Sequence, residues 1–358
     1  MRTETGLWNV TVGAALLTLT VIGCGDKDGN GDGASYVPQT RGYFVAAEHV
    51  NWNYAPLGGD PVFDQEIPDP FGHTLEYEKI RYIQYTDATF TTQVQQPAWI
   101  GILGPTIRGV VGDTLKVTFL NRTDRHLSMH PHGVKYDKDS EGAEYEPRGA
   151  GAAVPPDGRF TYTWEVDEGA GPAPGEPSSK VWLYHSHVDE VQDVRDGLVG
   201  TIIVTDAAHA RTGATPNDVD REFVALFLIF DQNEDGGGHG GGAQEDDGEL
   251  TEEEIREGNL KHAINGLFFG NLQGLEMSKD ERVRWYVVGL GGEPDLHTPH
   301  WHGETGILDG RTRTDVLELL PASMHTIDMV TDNPGTWLFH CHVDGHVEAG
   351  MYTTFVVR

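Results

Sequence analysis

Val181–Glu190 reads VWLYHSHVDE and Thr336–Gly345 reads TWLFHCHVDG, the same residue at six of ten positions. Both contain an H-x-H pair. On a strand, residues i and i+2 share a face, about 6.6 Å apart at a rise of ~3.3 Å per residue. His185 and His187 therefore project to one side, as do His340 and His342. Upstream of each stands another histidine segment, LSMHPHG (127–133) and LHTPHWHG (296–303). Each of these follows a run of alternating polar and apolar residues, Gly112–Leu120 (GDTLKVTFL) and Asp280–Val288 (DERVRWYVV), which reads as a strand. One pattern written twice predicts an internal repeat of all-β units of roughly 140 to 170 residues, two Greek-key β-sandwiches side by side.

Composition agrees with that architecture. Of 358 residues, 38% are hydrophobic and 23% charged, which excludes both wholesale disorder and a membrane bundle. Forty-six glycines and nineteen prolines suit a turn-rich β protein rather than long helices. Asp plus Glu total 56 against 25 Lys plus Arg, a net charge of −31. Nucleic acid is excluded as a partner, because phosphates need a basic footprint. A surface this negative draws cations inward. With only Cys24 and Cys341, a disulfide framework is excluded as well.

The chain divides as follows. Residues 1–24 read as an export signal: Val10–Ile22 is apolar and uncharged, too short to span as a mature helix. It ends in Val21-Ile22-Gly23-Cys24, which resembles a bacterial lipobox, so Cys24 is expected to carry a lipid anchor and the folded part to lie in the periplasm or at the cell surface. Residues 25–40 form a glycine- and acid-rich tether. The first sandwich occupies 41–206, the segment 207–220 is a linker, and the second sandwich occupies 221–358. Phe223–Phe230 (FVALFLIF) is a continuous apolar run expected to be a buried opening strand. An insertion at 231–257 is crowded with carboxylates and contains a single arginine, Arg256.

Ten of the seventeen histidines fall in four clusters: His130 and His132; His185 and His187; His297, His300 and His302; His340, His342 and His346. A lone histidine is usually a satisfied core residue, whereas four clusters at matching positions of a repeat are a metal-binding arrangement. In His340-Cys341-His342 the alternation turns the sulfur to the face opposite both imidazoles. One strand then serves two metal sites joined by a few covalent bonds. Cys341, His346 and Met351, with His297 as the histidine outside its H-x-H pair, make the donor set of a blue electron-transfer copper: a thiolate, two imidazoles and a long axial thioether.

These four segments resemble the copper motifs of the multicopper oxidases, over nearly all of Arg41–Arg358. The stretch HCHVDGHVEAGM (340–351) is the most specific of them. The resemblance implies two cupredoxin-like domains and four coppers per chain. A type 1 copper would be held by His297, Cys341, His346 and Met351, and a type 2 copper by His130 and His300. A type 3 pair would share His132, His185, His187, His302, His340 and His342. Ser186 stands where the second domain has Cys341, so the first domain should lack a type 1 copper. AEHVNWNYAP (47–56), YIQYTDATFTT (82–92), WIGILGPTIRG (99–109) and HAINGLFFGNLQG (262–274) resemble segments of the ceruloplasmin and hephaestin ferroxidases. The chain looks like a two-domain bacterial relative that keeps the equivalents of their first and last domains. By the same resemblance, Glu257 and His262 fall at iron-binding positions. The third iron-site acid of that family is Gly345 here, with Asp344 one residue earlier.

The implied activity is one-electron oxidation of a donor, Fe(II) first, coupled to four-electron reduction of dioxygen to water. Glu141 and Asp196 are the candidate proton carriers by resemblance, with Asp189 competing with Asp196. A laccase-like phenol oxidase or a Cu(I) oxidase shares every copper ligand. An electron carrier would leave eight histidines without a purpose, and a copper nitrite reductase needs its type 1 site where Ser186 stands. A cluster built from four histidines of each domain can be completed head to tail between chains. Such a contact closes into a ring or runs on as a filament, and three chains give the six domains of the ferroxidases, so a homotrimer is expected.

Overall fold

Along GDTLKVTFL, Leu115, Val117 and Phe119 are buried while Lys116 faces solvent, and the alternation makes this segment a central strand. The computed structural model describes residues 36–233 and 250–358. The expected export signal with Cys24, the tether as far as Ser35, and residues 234–249 of the acidic insertion lie outside the described residues.

The first sandwich contains β1 (Thr40–Asn53), β2 (Glu76–Tyr85), β3 (Ile107–Val110), β4 (Thr114–Asn121), β5 (His130–Pro131), β6 (Lys135–Tyr136), β7 (Arg159–Glu165), β8 (Ser179–His185) and β9 (Val199–Thr205), with helix α1 (Glu190–Asp196) between the last two. Its sheets run β2-β1-β4-β7-β6 and β3-β9-β8-β5, around a core that includes Val117, Phe119, Tyr162, Trp164 and Ile202. The second contains β10 (Arg221–Asp231), α2 (Glu252–Gly258), β11 (Leu260–Ile264), β12 (Glu276–Met277), β13 (Arg282–Gly289), β14 (Pro299–Trp301), β15 (Gly306–Leu308), β16 (Thr312–Thr314), β17 (Met324–Val330), β18 (Gly335–Cys341), α3 (Asp344–Glu348) and β19 (Tyr352–Val357). Its sheets run β11-β10-β13-β17-β15-β16 and β12-β19-β18-β14. The plan is repeated: β1 lies parallel to β4 as β10 does to β13, and β5 pairs with β8 as β14 does with β18. Both sandwiches are cupredoxin-like.

The run FVALFLIF is apolar on both faces because both faces are covered. Phe223, Ala225, Phe227 and Ile229 point into the core of the second sandwich. Val224, Leu226, Leu228 and Phe230 join Tyr54, Tyr77, Val181 and Leu183 of the first in one continuous cluster. β10 therefore seals the two sandwiches together, and Tyr36–Arg358 forms one compact unit. The loop between β1 and β2 adds a strap across the second sandwich, where Asp60 Oδ2 accepts the Tyr352 hydroxyl at 2.6 Å and Asn271 Oδ1 accepts the Leu57 amide at 2.9 Å.

Asn265 is the polar clamp of this junction. Fully buried at φ 53°, a conformation asparagine tolerates, its Oδ1 accepts the Leu226 amide at 2.7 Å. Its Nδ2 donates to the carbonyls of Val224 at 2.8 Å and, in the first sandwich, Trp99 at 2.7 Å. The close approach demands glycine at 101, since a Cβ there would stand 2.0 Å from the Asn265 carbonyl oxygen. Asn265→Ala is expected to lower the unfolding free energy by about 3 kcal/mol, about one per buried hydrogen bond lost. Urea titration checks this, and an unchanged midpoint would show the clamp to be idle.

Candidate metal centre

In the first sandwich the short strand β5 pairs with the end of β8, placing His130 directly opposite His185. His132 and His187 complete the group. The Nε2 atoms of His132 and His185 lie 3.0 Å apart, and the His130 ring centroid lies 5.2 to 5.6 Å from the other three. His130 Nδ1 is 2.7 Å from the Glu141 carbonyl and His185 Nδ1 is 2.9 Å from the Ser186 carbonyl, so both rings turn Nε2 inward. Burial, reinforced by the neighbouring imidazoles, pushes His132 and His185 down to about 4. These rings are neutral at pH 7, the form that binds metal.

The second sandwich repeats the arrangement in the same register. His300 lies opposite His340, and the Nε2 atoms of His302 and His340 are 3.1 Å apart. His300 Nδ1 faces the Asp315 carbonyl at 3.0 Å and His340 Nδ1 the Cys341 carbonyl at 2.7 Å. His342 lies 5.3 Å from His340 and 5.5 Å from His300 between ring centroids. Each group also rests on the glycine that ends its H-x-H-G. Gly133 and Gly303 both have positive φ, and a Cβ would press into the rings of Trp182 and Trp337, the second residues of the paired segments VWLYHSH and TWLFHCH. Among the described residues, no hydrogen bond or ring contact joins a histidine of one group to a histidine of the other. Exposed Tyr136 lies beside the first group, and exposed Val316 pairs with His300 beside the second.

The cysteine occupies the other face of β18, as the alternation requires. Cys341 Sγ lies 3.6 Å from His346 Nδ1 and 3.9 Å from His297 Nδ1, and the two nitrogens are 3.1 Å apart. Met351 is fully buried and is tied by backbone bonds to both Cys341 and His346. Burial opposes ionisation of the thiol, but His297, His346 and the Thr298 amide outweigh it and pull Cys341 down to about 6. A thiolate converging with two imidazole nitrogens, within one bond of His340, fits a copper ion.

The corresponding place in the first sandwich is filled by a polar cluster. The Ser186 amide bonds the Leu198 carbonyl as Cys341 bonds Met351, and the Leu198 amide bonds the Asp193 carbonyl as Met351 bonds His346. Asp193 thus stands in for His346, Leu198 for Met351 and Ser186 for Cys341. The Ser186 hydroxyl donates to Asp193 at 2.5 Å, and Arg125 lies 3.3 Å from the same carboxylate. Burial raises Asp193 to about 6.

His262 is 6% exposed, neither ring nitrogen has a hydrogen-bond partner, and its ring lies 5.0 Å from that of His346. Glu257 is exposed on α2 and no contact brings its carboxylate to His262; Asp344 is exposed at the start of α3. Of the expected proton carriers, Glu141 engages His130 through its carbonyl while its carboxylate is held by Lys138 and Tyr145. Asp196 is buried against Arg125 and Gln192, and Asp189 caps α1 through the Gln192 amide. Two carboxylates escaped the sequence reading. Glu190 reaches to 3.4 Å from His187 Nε2 and 3.9 Å from His185 Nε2. Asp295 reaches to 3.3 Å from His297 Nε2. The only signal for either was its spacing, three and two residues from a histidine.

Two family models, each described as Multicopper oxidase, match residues 82–209 and 246–358. Human hephaestin is 37% identical over 344 residues, 89% of this chain and 29% of that protein. Mouse ceruloplasmin is 38% identical over 337 residues, 88% of this chain and 31% of that protein. A mouse protein named Ferroxidase HEPHL1 is 35% identical over 339 residues, 89% of this chain and 29% of its own length. The chain therefore spans about three tenths of the relatives it matches. Among solved structures, a multicopper oxidase named mgLAC superposes with a TM-score of 0.61 at 20% identity, covering 89% of this chain and 86% of that one. The blue copper oxidase from Nitrosomonas europaea gives 0.58 at 19%, with the same coverage. With both sandwiches matched by models of one family and the same fold in its solved members, the chain belongs to the multicopper oxidases, enzymes that bind copper.

Proposed function

We propose that this chain oxidises Fe(II) and passes the electrons to dioxygen, four Fe(II) giving four Fe(III) while O2 and four protons become two waters. The observation that carries this reading is His262, a buried imidazole with both nitrogens unpartnered and its ring 5.0 Å from that of His346. A buried polar group left unpaired costs about 1–3 kcal/mol, and a cation beside the Cys341 site would offset that cost. The net charge of −31 steers cations towards the surface, and three of the matched relatives are hephaestin, ceruloplasmin and a protein named as a ferroxidase.

In this reading His297, Cys341, His346 and Met351 hold the type 1 copper. His130 and His300 hold the type 2 copper, and His132, His185, His187, His302, His340 and His342 the type 3 pair, four coppers per chain. Bound there, copper supplies one-electron oxidation of the donor and reduction of dioxygen. The chain's own residues do the rest. Carbonyl acceptors behind His130, His185, His300 and His340 fix their ring orientation. The Cys341 carbonyl joins the thiolate residue to His340 by a 2.7 Å contact. Glu190 is the carboxylate nearest to the first group and joins Glu141 and Asp196 as a proton carrier, and Glu257 and Asp344 supply acidic charge on the approach to His262.

In this reading the two histidine groups are each half of an eight-histidine site; among the described residues no hydrogen bond or ring contact joins them, and exposed Tyr136 and Val316 lie beside them. That arrangement supports completion between chains, the first sandwich of one meeting the second of the next in a homotrimer. The lipobox-like Val21-Ile22-Gly23-Cys24 supports a lipid anchor on Cys24.

Cys341→Ser is expected to abolish the intense visible absorption of copper–thiolate and to stop turnover; a surviving colour overturns the assignment. Joint removal of Glu257 and His262 should cut kcat/KM for Fe(II) by roughly tenfold or more and leave a bulky phenol within about twofold. Equal losses for the two donors would favour the laccase-like reading. Mass measurement of the lipid-free protein is expected to return three chains, and a fully active, copper-loaded monomer would refute sharing of the cluster.

A further inference from the structure

The segment leading into His297 is shaped around one carboxylate. Asp295 is 3% exposed. Its Oδ1 accepts the Ile229 amide of β10 at 2.7 Å, and its Oδ2 accepts the Gly292 amide at 2.8 Å. Gly291, at φ 110°, leaves no room for a side chain, because a Cβ would stand 2.1 Å from Asp295 Oδ2. Two backbone amides and a glycine turn therefore lock the carboxylate, and Oδ1 lies 3.3 Å from His297 Nε2. The opposite ring nitrogen, Nδ1, is the one that faces Cys341 and His346. The other imidazole of the site, His346, has no carboxylate behind it among the described residues; its ring neighbours are His297 and His262.

We infer that Asp295 is a positioning residue that sets the electron affinity of the Cys341 site through His297, and so restricts the donor to easily oxidised species. The inference rests on copper being held by His297, Cys341 and His346. A carboxylate that accepts the outer N–H of a ligating imidazole fixes its tautomer and makes its other nitrogen a stronger donor. A stronger, more electron-rich donor favours the more highly charged Cu(II) over Cu(I). The site then takes an electron less avidly and discriminates in favour of Fe(II) over phenols of higher potential. Its burial among backbone amides makes Asp295 unavailable as a ligand for the donor itself, so its influence passes through the histidine alone.

The test uses the copper-loaded wild type and Asp295→Asn, which keeps an oxygen for Ile229 and His297 but removes the charge. Competition with Cu(I) and Cu(II) chelators, together with redox titration of the visible band, should show the Cu(II)-to-Cu(I) affinity ratio falling about 10-fold or more in the variant. A tenfold change corresponds to 59 mV in a one-electron couple. The phenol-to-Fe(II) ratio of kcat/KM should rise in parallel. A variant that lowers only the melting temperature of the copper-free protein, with the affinity ratio changed less than threefold, overturns the inference and leaves Asp295 a structural residue. Should the variant fold poorly, nitrogen-15 NMR of the wild type loaded with Cu(I) decides instead. A His297 ring N–H protected from exchange supports the inference, and a freely exchanging one refutes it. Absence of any copper–thiolate absorption in the wild type is a different result, and it defeats the copper assignment itself.

Discussion

An imidazole has two nitrogens, and a metal-binding histidine must commit one of them to the fold so that the other faces the right way. This constraint shapes both sandwiches. His130, His185, His300 and His340 each spend Nδ1 on a backbone carbonyl, while His297 spends Nε2 on Asp295 and turns Nδ1 to Cys341. The two kinds of site therefore present opposite ring nitrogens. That difference follows from which acceptor the neighbouring chain supplies, a backbone carbonyl in one case and the Asp295 carboxylate in the other.

Much of this was legible in the chain because it rests on period-two alternation. The H-x-H pairs, the separation of Cys341 from its flanking histidines and the doubled Trp-Leu-x-His segments follow from strand geometry alone, and the two sandwiches appear with the sheets such strands must form. FVALFLIF read correctly as a buried strand, but its second role was hidden: apolarity on both faces does not reveal that one face belongs to another sandwich.

What stayed out of reach depends on loop conformation. Asp295 is one carboxylate among 56 until the Gly291-Gly292 turn places it behind His297. Glu190 and Asp193 look alike as acids near a histidine pair, yet one reaches the rings and the other is buried in the place that His346 takes in the second sandwich. The expected acidic insertion proves to be partly regular at its edges: Asp231 ends β10, and Thr251 starts α2 with a reciprocal cap to Glu254.

Gly133 against Trp182 and Gly303 against Trp337 are the same contact made twice, on segments that differ in what lies between the two histidines of the pair. The packing that aligns the strand is thus independent of the atom presented on its far side. A duplicated sandwich can exchange sulfur for a hydroxyl, and His346 for a carboxylate, without disturbing the histidines next door. Separating scaffold from ligand in this way would, under the proposed copper assignment, let one copy specialise in receiving electrons while its twin keeps only the part that meets oxygen. Under that assignment, a duplicated chain could gain or lose an electron-entry site one domain at a time.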